Sequence, residues 1–282
     1  MLRGLHGNGG LQIGNLKVSG LSASNVNLQL NADNDVIHFS PIAANLYGGK
    51  SNGDITIDMR SQQPKLSINE ALQAIQVGNL FQDVANKSKL QVTGTGDLRF
   101  NLQTSGQDAK TLTRNLNGNL KFAVTNGSIK NLNLNRALQT ALSAINKTSD
   151  DKADSNTDND TSFSSFTGTA VITNGIATNN DLSLKSNSLE MSGNGTANLI
   201  DQSFNYHLKV IALGSPFGRD VIDFQQRIGG SFPLLLTGNF NNPKILPDLS
   251  TIGQGLLKGE FRQKLEKLLA LALTAVTTLA PI

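Results

Sequence analysis

Apolar and polar residues alternate along most of this chain, and this pattern restricts the fold more than any other feature. In Leu98–Leu102 every second residue is apolar, and the residues between are Arg99 and Asn101. The same alternation recurs in 120–124, 204–210 and 232–236. An apolar residue at every second position predicts antiparallel β-strands with one apolar and one polar face.

The composition indicates how such a sheet is covered. The 282 residues are 38% hydrophobic and 5% aromatic, with no Trp. Average domains are about 45–50% apolar with Gly counted, so the apolar supply is thin for a two-layer sandwich of this length. The Gly-x-Gly pairs Gly94/Gly96 and Gly193/Gly195 permit bends within strands. We therefore expect a mainly β fold in which a long curved antiparallel sheet forms a groove, with a few short helices.

The charge pattern argues against nucleic acid as a partner. The net charge is +3, but Lys and Arg are scattered singly, without the basic run or basic-aromatic patch that binds a nucleic acid backbone. The absence of Cys excludes disulfides and thiolate metal sites. Residues Met1–His6 lead directly into glycine-rich strand sequence, with no apolar region of a signal peptide, so we expect a fragment of a longer protein.

Twelve segments have strand character, and turn signals join several of them. They lie near residues 11–19, 24–31, 35–47, 53–60, 90–103, 117–126, 127–134, 166–174, 176–185, 188–199, 202–212 and 231–241. Asn126-Gly127 and Asn174-Gly175, one in each half of the chain, both lie between alternating runs. Asn-Gly in this position is the strongest short hairpin signal, so we predict a hairpin at each pair.

Helical patterns interrupt the strands. Ser67 and Glu70 form a capping box, which predicts the start of a helix that continues to Val84 and is broken at Gly78. Further helices are predicted at 107–115, 135–146 and, as a C-terminal amphipathic helix, 255–282. The apolar part of the last helix, Leu268–Ile282, is shorter than the roughly 20 residues that a membrane-spanning helix needs.

An acidic segment, residues 149–160, divides the chain. It contains five Asp and no large apolar residue. The glycine and terminal glutamate of an EF-hand loop are missing, which favours a disordered acidic loop over a calcium site. The predicted organisation is therefore a first half of a β-groove (1–148), the loop (149–160), a second half (161–254) and the C-terminal helix (255–282).

No catalytic constellation is present in the sequence. His6, His38 and His207 are isolated, with no second ligand at metal-binding spacing. There is no Gly-x-Ser-x-Gly motif, and the glycine-rich run at 7–10 lacks the Lys and Ser/Thr of a phosphate-binding loop. We therefore expect a protein that is not an enzyme and holds neither a metal nor a cofactor.

Several short motifs follow one another in an order that is specific as a set. They are Ser40–Gly49, Asn117–Ile129, Thr161–Phe166, Gly230–Pro233 and Pro247-Asp248. Together, over most of residues 7–255, they resemble the C-terminal region of the AsmA family, among the AsmA/TamB-like envelope proteins of Gram-negative bacteria. The resemblance implies a periplasmic β-groove, associated with the inner membrane through an N-terminal anchor not visible here, that moves phospholipid toward the outer membrane.

An open apolar groove suits lipid, so the expected partners are phospholipid acyl chains and a membrane. The residues predicted to line the groove are Leu98, Phe100, Leu102, Leu120, Phe122, Val124, Phe204, Tyr206, Leu208, Val210, Leu234 and Leu236. One alternative is an assembly module whose open sheet edge aids outer-membrane protein assembly, with the assembly components as partners. The other is a β-helical, adhesin-like interaction protein, which the Asn-Gly hairpin signals disfavour.

Overall fold

The fold is a single antiparallel sheet built almost entirely in chain order. The computed structural model describes residues 4–18, 20–84, 88–134, 136–138, 160–214, 217 and 219–259. Fourteen strands form one sheet, in which all but one short strand follow each other as hydrogen-bonded neighbours. All pairings between these strands are antiparallel. The mainly β prediction is confirmed, and the β-helical alternative, which needs parallel rungs, is wrong.

The elements have the following bounds. The strands are β1 (Gly7–Val18), β2 (Leu21–Asp33), β3 (Val36–Leu46), β4 (Gly49–Asp58), β5 (Lys65–Gln76), β6 (Gln91–Val92), β7 (Thr95–Ser105), β8 (Asn117–Lys130), β9 (Thr161–Thr173), β10 (Ile176–Lys185), β11 (Leu189–Asn198), β12 (Ser203–Ala212), β13 (Phe232–Asn239) and β14 (Asn242–Pro247). The helices are α1 (Val77–Val84), α2 (Ala109–Arg114) and α3 (Arg219–Arg227). Residues 134, 136–138 and 249–259 are also helical.

The strand register brings apolar residues of every strand on the main path into one line. Directly opposed residues of an antiparallel pair point to the same face of the sheet. The central apolar row, defined by this pairing, consists of Gly9, Leu30, Phe39, Ile55, Ile68, Leu102, Gly118, Ile172, Ala177, Ala197, Phe204, Gly238 and Pro243. No member has a polar side chain, so an uninterrupted apolar row crosses this face of the sheet, which is called the apolar face below.

Helices cover one end of this apolar face. The covered row, parallel to the central one, consists of Gly96, Val124, Phe166, Leu184, Met191, Val210 and Phe232. Side chains of α1 and α3 pack with it into one large apolar cluster, together with Leu132, Leu134, Ala137, Leu138 and Ile252. Val124 and Gly118 are six positions apart on β8, so about 20 Å separates the two rows. The main core therefore lies at one end of the strands.

The helix predicted from the Ser67/Glu70 capping box is wrong over its first half. Residues 65–76 form β5, which pairs with β4 on one side and β7 on the other. Leu66, Ile68 and Leu72 lie on one face of the strand, and backbone pairing with a strand on each side outweighs one local capping signal. The helix begins only at Val77, and Gly78 lies inside it without breaking it.

The two Asn-Gly pairs behave differently. Asn174 (φ 49°) and Gly175 (φ 77°) form the predicted two-residue turn between β9 and β10. Asn126 also has a positive φ of 51°, but it lies inside β8 and the predicted hairpin there is wrong. Along one edge of β8, β9 stays paired in the same register before and after Asn126. Along the other edge, β8 pairs with β7 before Asn126 and with β6 after it. A Cβ at Gly127 would collide with the Thr93 carbonyl, so this position needs glycine.

The remaining expectations have mixed outcomes. Helix 107–115 is confirmed as α2, where the Asp108 carboxylate accepts a hydrogen bond from the Thr111 backbone N–H. The strand predicted at 90–103 is two strands, β6 and β7, and β14 was not predicted. The acidic segment, helix 135–146 and helix 255–282 lie outside the described residues except for 160, 136–138 and 255–259. Within the described ranges, no helix combines the length and apolar character needed to cross a membrane.

Candidate functional site

The twelve residues predicted to line a groove all lie on the apolar face, but in three environments. Buried in the large cluster are Val124, Leu208, Val210 and Leu234. Half-buried against that cluster are Leu98, Phe122, Tyr206 and Leu236. Half-buried and outside it are Phe100, Leu102, Leu120 and Phe204. The face therefore grades from a packed core at one end of the strands to partly exposed apolar side chains toward the other.

An apolar cavity lies where the covered and open parts of this face meet. It has a volume of about 250 Å³ and lies beneath α1, which contributes Leu80 and Phe81. The sheet contributes Leu98, Leu120 and Phe122 to its lining. The cavity is thus lined both by residues of the large cluster and by Leu120, which lies outside it.

The part of the apolar face outside the large cluster, called the open part, is lined by half-buried aliphatic and aromatic side chains. Phe204 stacks on Phe240, with ring centroids 4.6 Å apart. A smaller cluster of Ala32, Ile37 and Met59 forms at the corner of β2, β3 and β4. No groups of three or more possible metal ligands occur in the part of the chain that the structure describes. The described part of this surface is thus apolar.

One carboxylate, Glu70, lies on the apolar face, and the sequence analysis missed it because it was assigned to a helix cap. Its register partners are Gly53 and Phe100. The Ser51 hydroxyl donates a hydrogen bond to Glu70 Oε1 at 2.9 Å, and a Cβ at Gly53 would lie 2.6 Å from Oε2. Burial raises the pKa of Glu70 above its ordinary value. The carboxylate thus fills the space that Gly53 leaves open.

We expect Glu70→Gln to raise the melting temperature at neutral pH. Because burial raises the folded-state pKa of Glu70, its ionised form opposes folding above that pKa, and this penalty disappears as the pH falls toward 4.5, its ordinary value. The difference between variant and wild type should therefore shrink on acidification. Thermal unfolding followed by circular dichroism across this pH range measures it.

Asp108→Asn is the control of opposite sign. Hydrogen bonds from Thr111 hold the pKa of Asp108 below its ordinary value, so its carboxylate stabilises the folded state at neutral pH. This variant should melt at a lower temperature at neutral pH, and the deficit should vanish as the pH falls through the lowered pKa. A lower melting temperature for Glu70→Gln at neutral pH would show that Glu70 is stabilising instead.

The opposite face of the sheet is polar. Asn69 Nδ2 donates to Asp54 Oδ2 at 2.9 Å, and Asn101 Nδ2 donates to Asn69 Oδ1, which forms a ladder across three strands. His6 lies 3.0 Å from Asp33 and His38 lies 3.0 Å from Thr56, both in exposed contacts. His6 and His38, two of the three histidines, are therefore surface residues.

Comparison with known proteins identifies the family. The AsmA family profile matches residues 8–182, more than half of the chain. Protein AsmA of Escherichia coli (strain K12) is 23% identical over 256 residues, which cover 90% of this chain and 40% of that protein. The chain thus spans less than half the length of this relative, and no solved structure matches it significantly. From the match over residues 8–182, the chain belongs to the AsmA family.

Proposed function

We propose that this chain is a non-enzymatic envelope-biogenesis protein whose apolar sheet face holds phospholipid acyl chains during transfer between the inner and outer membranes. The observation that carries the proposal is the central apolar row, which crosses the main strand path without a polar side chain. Membership of the AsmA family supports the association with envelope biogenesis. The family is not known as an enzyme family, which agrees with a binding role.

The energetics of lipid transfer require such a surface. Exposing a CH₂ group to water costs about 0.8 kcal/mol, so two acyl chains with about 30 methylenes would cost roughly 20–25 kcal/mol. Contact with a continuous apolar face replaces most of that exposure. Because the contacts are uniform along the row, no single position holds the lipid strongly, and the lipid can move from strand to strand.

The covered end lets the protein fold without cargo. Phe232, Leu184 and Val210 are each 0% exposed within the large cluster, so the core does not depend on a ligand. The half-buried residues of the central row contribute less to this core and are the ones left for lipid. We further propose that the chain lies in the periplasm, associated with the inner membrane.

Lipid content of the purified chain tests this proposal directly. The chain is purified in mild detergent from a Gram-negative host, and native mass spectrometry with organic extraction measures the bound lipid. We expect at least one phospholipid per chain. After delipidation, the protein should take fluorescent phospholipid from vesicles of phosphatidylethanolamine and phosphatidylglycerol. A lipid-free monomer that takes none from these vesicles would contradict the proposal.

A second candidate function is assistance to outer-membrane protein assembly. β1 is an edge strand, with Leu11 49% exposed and Val18 55% exposed, and no described strand pairs with its outer side. An exposed edge is a template for pairing with another extended chain. Capture of unfolded outer-membrane proteins by the delipidated chain, without uptake of lipid, would favour this function over lipid transfer.

A further inference from the structure

The amide of Asn179 lies on the apolar face in a determined orientation. Asn179 is 3% exposed, and its Nδ2 donates to the Thr169 carbonyl oxygen at 2.6 Å and to Asp181 Oδ1 at 2.8 Å. Hydrogen bonds from Thr169 hold the pKa of Asp181 below its ordinary value, so this carboxylate accepts and does not donate. Because both partners are acceptors, Nδ2 must face them and Oδ1 must point away.

The Oδ1 atom of Asn179 has no hydrogen-bond partner among the described residues, and less than 1 Å² of it is exposed. A buried acceptor without a partner is costly, and native proteins rarely leave one without a reason. Asn179 lies where the register of β10 shifts against both β9 and β11, and no described backbone N–H reaches Oδ1 there. Oδ1 therefore needs a donor from outside the described chain.

A second polar group without a partner lies in the same row. Register pairs Asn179 with Gly195 and Gly195 with Tyr206. Burial raises the pKa of Tyr206, which keeps its hydroxyl protonated, and no hydrogen bond to this hydroxyl forms within the described ranges. Strands are about 4.8 Å apart, so the Cα atoms of Asn179 and Tyr206 are separated by about 10 Å. The two polar groups therefore lie on the same face, on either side of Gly195.

The position between them carries no side chain. A Cβ at Gly195 would lie 2.7 Å from Tyr206 Cγ, so the tyrosine ring leans over the glycine. Glycine at this position therefore lets Tyr206 approach the backbone closely, and no other described side chain lies between the two polar groups.

We propose that Asn179 and Tyr206 bind a free hydroxyl that the lipid carries beside its acyl chains. The hydroxyl donates to Asn179 Oδ1 and accepts from the Tyr206 hydroxyl. Ester oxygens, the usual neighbours of acyl chains in a glycerolipid, only accept and would leave Oδ1 without a partner. This inference rests on the proposed lipid-binding function and adds a preference among lipids.

Three matched probes test the preference on the full chain. Methyl myristate has no hydroxyl, methyl hydroxymyristate carries one on the acyl chain, and monomyristoylglycerol carries them on the head. Displacement of a fluorescent fatty acid measures each affinity. We expect the wild type to bind at least one hydroxylated probe about tenfold more tightly than methyl myristate, because a buried acceptor gains its donor. The hydroxylated probe with the higher affinity shows whether the recognised hydroxyl is on the acyl chain or on the head group of the lipid.

Variants separate the site from general lipid binding. Tyr206→Phe removes only a hydroxyl and should reduce the preference to about threefold, and Asn179→Leu should abolish it. Tyr47→Phe is the control, because the Tyr47 hydroxyl donates to Asp83 Oδ2 at 2.6 Å. It should keep the full preference. Equal wild-type affinity for all three probes, as expected if water alone occupies the site, would overturn this inference while leaving the lipid-binding function intact. Binding of no probe would overturn both.

Discussion

Replacing Phe232 by alanine should lower the free energy of unfolding by about 3–5 kcal/mol. Phe232 is 0% exposed, and its ring centroid lies 5.9 Å from that of Phe224 on α3. Alanine would leave a cavity where the sheet contacts its covering helix, and the surrounding strands cannot collapse into it without breaking ladder hydrogen bonds. Urea denaturation of variant and wild type measures this loss, provided that the dependence of the unfolding free energy on urea concentration is the same in both proteins.

Phe204→Ala is the matched control on the same face. Phe204 is half-buried, lies outside the large cluster and stacks only on Phe240 among the aromatic side chains of the described ranges. Less apolar surface is lost from it, so we expect a cost of roughly 1–2 kcal/mol. Equal losses for the two variants would show that the apolar face is packed uniformly and that no part of it is left for a ligand.

Placing two carboxylates on the central apolar row should abolish lipid binding without unfolding the protein. Leu102 and Phe204 belong to that row on distant strands, and both are half-buried outside the large cluster. An ionised carboxylate beside an acyl chain loses hydration without gaining a partner. We expect the double variant Leu102→Asp/Phe204→Asp to bind at least tenfold less phospholipid in the vesicle transfer assay.

The control for this variant has the same charge change on the other face. Gln103 and Asn205 are the next residues in the chain, and both are exposed on the polar face. Gln103→Asp/Asn205→Asp should keep wild-type lipid content, and circular dichroism should show the same strand content in both double variants. Equal loss of lipid in the two variants would mean that net charge, and not the apolar face, governs binding.

The alternation of residues was sufficient to predict the strand type and the apolar face, because side chains alternate strictly across a strand. It assigned Leu102 and Phe204 to one surface although they lie five strands apart along the main path. Local signals failed where tertiary pairing competed with them. Ser67 and Glu70 satisfy a capping box, yet they lie in β5 between two neighbouring strands.

Identical local sequence also had different outcomes. Asn174-Gly175 turns the chain, whereas Asn126-Gly127 does not, because β9 pairs with β8 on both sides of it. That partner lies beyond the acidic segment and cannot be deduced from the residues around Asn126. The polar positions Glu70 and Asn179 were equally beyond local reasoning, since only the register shows that they face the apolar side.

Because the strands pair in chain order, the width of the sheet is the number of strands multiplied by the spacing between them. Thirteen strands spaced about 4.8 Å apart extend over roughly 55–60 Å measured along the sheet. Inserting one more hairpin would add about 10 Å of apolar track while each existing strand gained or changed at most one neighbour. The length of the apolar face can therefore increase in evolution by duplication of hairpins, without any change in the helices that cover one end of the strands.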